Sequence, residues 1–317
     1  MRLDRRRALG LLAAAAVPVP CCGVAYAALP SYGLQARALG DGLHVFRGHD
    51  EYFSRENGGN ILNTAFLETA EGVVVFDTGP SRIYGEEMRA AIAAVTDAPV
   101  LTALVTHGHP DHFCGSEGFA DVPVAALDRV KAFIAREGDA LTENMYRLVD
   151  RYMFGTATLP PNAVLAPGPQ RLGGRAVELL DLGGHTDQDL ALFDVASGTL
   201  FAGDLVFYDR APTTPHAHIP TWIDALDRLA ELPIRRLVPG HGPITEGTVA
   251  IAQTRDYLVW LHETLVGAAE RGLAMTEVMA LEIPERFRRM AVLEEEFVRS
   301  IAHLYPAIEL RAMPRVD

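Results

Sequence analysis

Apolar and polar residues alternate over residues 42–47, 60–68 and 72–77, with glycines between the runs. A period of two broken by Gly-rich turns predicts a β-meander at the start of the fold. The period then changes. Met88, Ile92 and Val95 recur at helical spacing ahead of Pro99, which predicts a helix that stops before the proline. Compact apolar runs at 101–105, 176–182, 199–202 and 236–238 read as further strands, and the later ones belong to a series from Val164 to Val238. A helix predicted over 221–232 interrupts that series, with Thr221 and Asp224 as a capping box and Trp222, Leu226 and Leu229 on its buried face. Between 128 and 160, Val130, Phe133 and Ile134, then Met145, Leu148, Val149 and Tyr152, fall at helical spacing. These positions are expected mainly in the core, on a segment that also runs near enough to the first polar motif to wall a cleft. After Gly242, helices are predicted over 248–267 and about 283–304. Two sheets with outer helices make an α/β fold, an αββα sandwich carrying a C-terminal helical extension.

Four polar motifs interrupt this pattern, each expected just after a strand. They are Thr106-His107-Gly108-His109-Pro110-Asp111-His112, His185 in Gly-Gly-His-Thr, Asp204 in Ala-Gly-Asp-Leu, and His241 in Pro-Gly-His-Gly. Loops at strand ends let a rigid scaffold converge distant side chains on one point. Imidazole and carboxylate are the donors expected for zinc, with iron or manganese possible on geometry. One such histidine alone would be unremarkable; seven candidate ligands in four motifs point to a metal centre. Pro110 suits the first turn of a helix beginning at Asp111 and His112.

The H-x-H-x-D-H run, the later single His, the Gly-Asp and the terminal Gly-His-Gly resemble, in that chain order, the ligand pattern of the metallo-β-lactamase superfamily. The likeness spans residues 43–244 and includes the strand ending in Asp77-Thr78-Gly79. In finer detail, Arg-Ala-Pro-Thr-Thr-Pro-His and Leu-Pro-Ile-Arg-Arg-Leu-Val-Pro-Gly-His-Gly-Pro are similar to the exported quinoprotein relay system zinc metallohydrolases, a SoxH-related group. The resemblance implies two zinc ions. His107, His109 and His185 would hold one, Asp111, His112 and His241 the other, with Asp204 bridging and Asp77 orienting a ligand or its loop. It implies a metal-bound hydroxide attacking a small ester, thioester or amide, with Asp111 handling the proton. β-Lactam hydrolysis is a narrower form of the same reading. The alternatives are a mononuclear iron oxygenase of the persulfide dioxygenase type and a non-catalytic quinoprotein maturation or binding factor. No motif identifies substrate-binding residues. His216 and His218 have ligand-like spacing but do not complete a site, and a loop role is expected. Tyr208 could donate to an oxyanion or simply pack, and Cys114 is expected to be a small buried residue.

Charge and the first residues refine the setting. The 317-residue chain has 49% hydrophobic residues, enough for a large core, and a formal net charge of −13. A balance this acidic disfavours nucleic acid as substrate or partner. Residues 1–27 carry Arg5-Arg6-Arg7, a short apolar run and Ala25-Tyr26-Ala27, the layout of an export signal cleaved before Ala28. The run is too short for a permanent membrane span. The arginines resemble a twin-arginine signal, which implies a periplasmic protein with a candidate quinoprotein or cytochrome partner. Cleavage would remove Cys21 and Cys22, which follow a poor lipidation motif, and leave Cys114 alone without an internal disulfide. The expected organisation is thus a signal at 1–27, the sandwich at 28–245 and helices at 246–317.

Overall fold

A computed structural model describes residues 29–312. The expected export signal, with Arg5–Arg7, Cys21 and Cys22, therefore lies outside the described residues. One sheet holds seven strands in sequence order: β1 (Arg37–Gly40), β2 (Leu43–Phe46), β3 (Thr64–Glu68), β4 (Val73–Phe76), β5 (Val100–Leu104), β6 (Val124–Ala126) and β7 (Ala163–Val164). The first four pair antiparallel, the meander read from the alternation, and β4 to β7 pair parallel. The other sheet holds β8 (Gly168–Leu172), β9 (Arg175–Leu182), β10 (Asp189–Asp194), β11 (Thr199–Phe207), β12 (Arg236–His241) and β13 (Thr245–Glu246), in the order β13-β12-β11-β10-β9-β8. Among the described residues there are seven α-helices: α1 (Arg82–Val95), α2 (Pro110–Phe113), α3 (Asp128–Val149), α4 (Ile219–Ala230), α5 (Val249–Glu270), α6 (Met275–Val278) and α7 (Leu293–Ala312).

The sheets face each other across one core. Val177, Leu179, Leu190, Leu192, Phe201 and Val238 of the second sheet pack with β2 to β5 of the first, and the Phe76 and Phe201 rings stack 4.4 Å apart. Helices on the outer faces bury the strands from both sides. That corrects the alternation expected over 72–77: Val73 to Phe76 is a continuous apolar run, no more than 4% exposed, because it is covered on both faces. Each such side chain removed from water contributes roughly 1.5–3 kcal/mol. A second core joins α4, α5 and α7 to β10, β11 and β12. The helices after residue 246 are therefore packed directly on the sandwich.

Four local expectations need correction. The last helix begins at Leu293 and not near Ile283, since only a short 3-10 turn follows Pro284. β11 and β12 do not stop before their ligands: they run through Asp204 and include His241. Their parallel ladder slips between Phe201 and Gly203 and again before Phe207, with Gly203 at φ 51°. Such bulges re-aim a side chain without ending the strand. The helix α4 begins earlier than expected, and its cap is His218, whose Nδ1 accepts from the Thr221 amide. Thr221 and Asp224 thus sit inside the helix and form no capping box; His218 supplies the acceptor usually given by a short polar residue. Finally, β3 begins at Thr64, because residues 60–63 turn to meet the other sheet, where the Asn63 amide donates to the carbonyls of Pro239 and Gly242.

Candidate metal centre

The four motifs meet at one edge of the sandwich, and none of the seven candidate ligands is more than 9% exposed. The turn after β5 carries His107 and His109, and α2 carries Asp111 and His112 in its single turn with Pro110 at the start. The loop between β9 and β10 carries His185, the bulged β11 carries Asp204, and the end of β12 carries His241. Two glycines permit the convergence. A Cβ on Gly184, at φ 125°, would collide with the Trp222 backbone, and one on Gly240 would collide with the Asp204 carboxylate.

The ligand atoms fall into two groups, each within 4.8 Å: His107, His109, His185 and Asp204, and Asp111, His112 and His241. In the first, Nε2 of His107 and Nε2 of His185 each lie 2.9 Å from Nδ1 of His109. Asp204 reaches both groups. Its Oδ2 is 3.4 Å from His185 Nε2 and 3.2 Å from His241 Nε2, and its Oδ1 is 3.2 Å from His112 Nε2. Asp111 Oδ2 closes the second group at 3.5 Å from His241 Nε2 and 3.8 Å from His112 Nε2. Although Asp204 Oδ1 and His112 Nε2 are close, they are out of line for a hydrogen bond, and both are buried without one. Buried donors and acceptors converging unsatisfied are what a cation would complete.

The remaining ring nitrogens show how the imidazoles are held. Nδ1 of His112 lies 2.8 Å from Asp77 Oδ2, and Nδ1 of His241 lies 2.8 Å from the Ile61 carbonyl. Asp77, itself at φ 53°, also accepts from the Thr106 amide and hydroxyl, so its carboxylate touches the first motif at two points. His185 differs: its Nδ1 has no partner, and its ring packs 4.9 Å from that of Trp222. Burial holds His107, His109 and His185 well below the ordinary imidazole range, so their lone pairs are free at neutral pH. Burial also disfavours the charged form of His112, but the carboxylates of Asp77, Asp204 and Asp111 outweigh it and hold this ring well above that range. Asp204 is held well below the usual carboxylate range: burial opposes ionisation, and the neighbouring His241 and His112 overcome it.

Residues read only weakly from sequence fall on both sides. His216 is more involved than its loop position suggested, since its Nδ1 lies 2.9 Å from Nε2 of His109. His218 is a helix cap. Tyr208 is half-buried against the second core, with its amide donating to the His241 carbonyl. Cys114 is buried beside Thr142, and burial pushes its thiol up to about 12. Two contributors were missed. Thr106 links Asp77 to the rings of His107 and His112. A cavity of about 110 Å³ over Asp111, Asp204 and His241 is walled by Leu141, Met145 and Leu148 of α3, by Tyr52 and Phe53, and by Arg210 and Arg299. The helical segment after residue 128 is thus both core and wall, with Val130, Ile134 and Val149 facing the core.

The model of the metallo-β-lactamase superfamily matches residues 57–241, more than half of the sequence. The chain belongs to the metallo-β-lactamase superfamily. Members of this superfamily are generally hydrolases. Among curated relatives, the linear primary-alkylsulfatase of a Pseudomonas strain is 21% identical over 75% of this chain and 53% of its own length. The metallo-β-lactamase IND-1 of Chryseobacterium indologenes is 21% identical over 63% of this chain and 78% of its own. Among solved structures, a metallo-β-lactamase from Pontibacter korlensis superposes with a TM-score of 0.59 at 22% identity, covering 71% of this chain and 99% of that one. At this identity the superposition shows a shared fold, the two-sheet α/β sandwich expected from the sequence. The chain spans about half the length of the first curated relatives it matches. Among the described residues no helix is long and apolar enough to cross a membrane.

Proposed function

We propose that this superfamily member is a two-zinc hydrolase of a small ester, thioester or amide. The observation that carries the reading is Asp204: one buried carboxylate within 3.4 Å of a nitrogen from each ligand group. His107, His109 and His185 would hold one ion, Asp111, His112 and His241 the other, with Asp204 shared. When bound, such a pair supplies Lewis acidity and brings a water near neutrality in pKa. The chain does the rest. The three neutral imidazoles offer lone pairs without first shedding protons. Asp111, on the first turn of α2 and lining the cavity, accepts the proton of the attacking water. Leu141, Met145 and Leu148 exclude bulk solvent along the α3 side.

The proposal extends to the setting. The twin-arginine-like start supports export to the periplasm, and the Arg-Ala-Pro-Thr-Thr-Pro-His segment supports kinship with the quinoprotein relay metallohydrolases and a quinoprotein or cytochrome partner. A second reading, sulfate-ester hydrolysis, is favoured by the alkylsulfatase match, which extends over 75% of the chain. One preparation tests both. Zinc, iron and manganese are quantified per chain, then thioesters, lactones, β-lactams and an alkyl sulfate are assayed on the same sample. Two zinc per chain with acyl turnover is the expected result. Iron as the stoichiometric metal, or undiminished turnover after chelation, would overturn the reading, and turnover of the sulfate alone would replace it.

A further inference from the structure

One wall of the metal cavity is held from behind by a residue outside the stretch that matches the superfamily. Tyr52 and Phe53 line that cavity from the loop between β2 and β3, whereas Tyr32 precedes the matched residues 57–241. Residues 51–59 are wired to themselves. The Asn57 side chain accepts from the amides of Ser54 and Gly59 and donates to the Tyr52 carbonyl and the Glu51 carboxylate. A loop closed on its own side chains keeps its shape, but its place depends on contacts from outside. The Tyr32 hydroxyl supplies one, donating to the Gly58 carbonyl at 2.9 Å. Among the described residues, the other hydrogen bond that reaches the loop from beyond its base runs from Arg210 Nη2 to the Glu51 carbonyl and is longer, 3.3 Å.

Tyr32 is itself fixed through its hydroxyl, its ring and its backbone. The hydroxyl also meets Ser81 Oγ at 2.8 Å, and Ser81, the cap of α1, accepts from the Tyr84 amide. With the Tyr32 proton on Gly58, the Ser81 proton turns to the Tyr32 oxygen, and hydrogen bonds in such a chain strengthen one another. Burial pushes the phenol above its ordinary range, so it keeps the proton that it donates. The ring packs against those of Tyr84 and Tyr152, with centroids 5.0 Å and 4.7 Å away. The amides of Tyr32 and Gly33 both donate to the Glu87 carboxylate of α1, at 3.0 Å each, and bonds to an ionised acceptor are the stronger kind. Gly58 completes the fit. It adopts φ 61°, and a Cβ there would strike the Tyr152 ring.

We propose that residues 29–36 brace the wall of the substrate cavity and that Tyr32 is a positioning residue for hydrolysis. It acts through Gly58 on the loop that carries Tyr52 and Phe53, and so governs how closely the apolar part of a substrate is enclosed. Only the kinetic arm of its test rests on the hydrolase reading. Without the hydroxyl the loop opens more often, and substrate is held less well while the chemistry at the metal ligands keeps its rate, which separates KM from kcat.

The test compares the full zinc-loaded chain with Tyr32→Phe, which keeps the ring and removes the hydroxyl. Arg55 is exposed on the loop, so tryptic cleavage after it reports opening. That cleavage is expected to quicken about fivefold, the weight of one net hydrogen bond, while cleavage after the exposed Arg289 stays unchanged. With 4-nitrophenyl hexanoate as the probe, KM should rise about fivefold at unchanged kcat and zinc content. Cleavage after Arg55 that is no faster, or equally faster after Arg289, overturns the brace, and selective cleavage with unchanged KM overturns its role toward substrate. If the ester is not hydrolysed, the kinetic arm falls with the hydrolase reading and the cleavage rates alone decide the brace. Should Tyr32→Phe fail to fold, Glu87→Ala decides, because it frees the amides of Tyr32 and Gly33 and leaves the rings in place. A selective gain of similar size after Arg55 supports the proposal, and an unaltered rate overturns it.

Discussion

The two ligand groups are built differently although they share Asp204. Asp111, His112 and His241 are wired into the scaffold by hydrogen bonds: His112 through Asp77, and His241 through the Ile61 carbonyl. His107, His109 and His185 are aligned more by packing, through Trp222 behind His185 and the short loop at Gly184. Their electrostatics differ in the same sense. Burial keeps the packed histidines neutral, whereas three carboxylates favour a proton on His112. The first group therefore presents free lone pairs, while in the second a proton would compete with any bound cation for one nitrogen.

Removing the shared residue should give the largest effect. Asp204→Ala deletes the carboxylate that touches both groups, and zinc content is expected to fall well below two per chain, with activity lost by at least about 10³-fold. Metal analysis after gel filtration checks it, and two tightly held ions in the variant would show that the groups are independent. Asp111→Asn tests the second group alone. It keeps the shape but not the proton acceptor, so kcat should fall by on the order of 10² while KM changes little. Near-normal kcat with both ions retained would remove Asp111 from proton handling.

A subtler test of the same contrast is pH. A proton on His112 must leave before Nε2 can hold a cation, so zinc affinity of the second group should rise with pH across neutrality, while that of the first changes little. Asp77→Asn removes the carboxylate that favours this proton and orients the ring. Calorimetry in buffers of differing ionisation enthalpy should then show less proton release on zinc uptake, with affinity reduced about 10–100-fold. Unchanged proton release would mean that Asp77 does not govern this ring.

The sequence made one half of this comparison plain and concealed the other. Ligand candidates cluster in short motifs because each loop must present its donor within a few residues of a strand end, and Asp77 was visible beside Thr78-Gly79 for the same reason. Strand limits at Asp204 and His241 were hidden, because the bulge at Gly203 depends on a partner strand more than thirty residues away. The His218 cap was misread since histidine is an uncommon acceptor there. Arg210 and Arg299 were illegible as cavity residues because that wall is assembled from separate segments, with α7 brought across from residues 293–312. No local spacing records that.

His216 gives the smallest expected effect and the sharpest probe of how the packed group is aligned. Its Nδ1 lies 2.9 Å from Nε2 of His109, and its ring packs against Phe133 with centroids 5.9 Å apart. With Nδ1 of His109 turned toward the ligand group, Nε2 must carry the proton, so His216 accepts and fixes both tautomer and ring angle. Its side chain is exposed, yet the neighbours it does pack against desolvate it enough to hold it below the ordinary imidazole range, and so it remains an acceptor at neutral pH. His216→Ala should weaken zinc at the first group by about tenfold, leave the second group unchanged and barely alter Tm of the loaded protein. His216→Gln keeps an acceptor and should restore most of the affinity. Competitive zinc titration against a chelator of known affinity measures both variants. Equal weakening in Gln and Ala would mean that His216 acts through packing on Phe133, making the first group wholly dependent on shape.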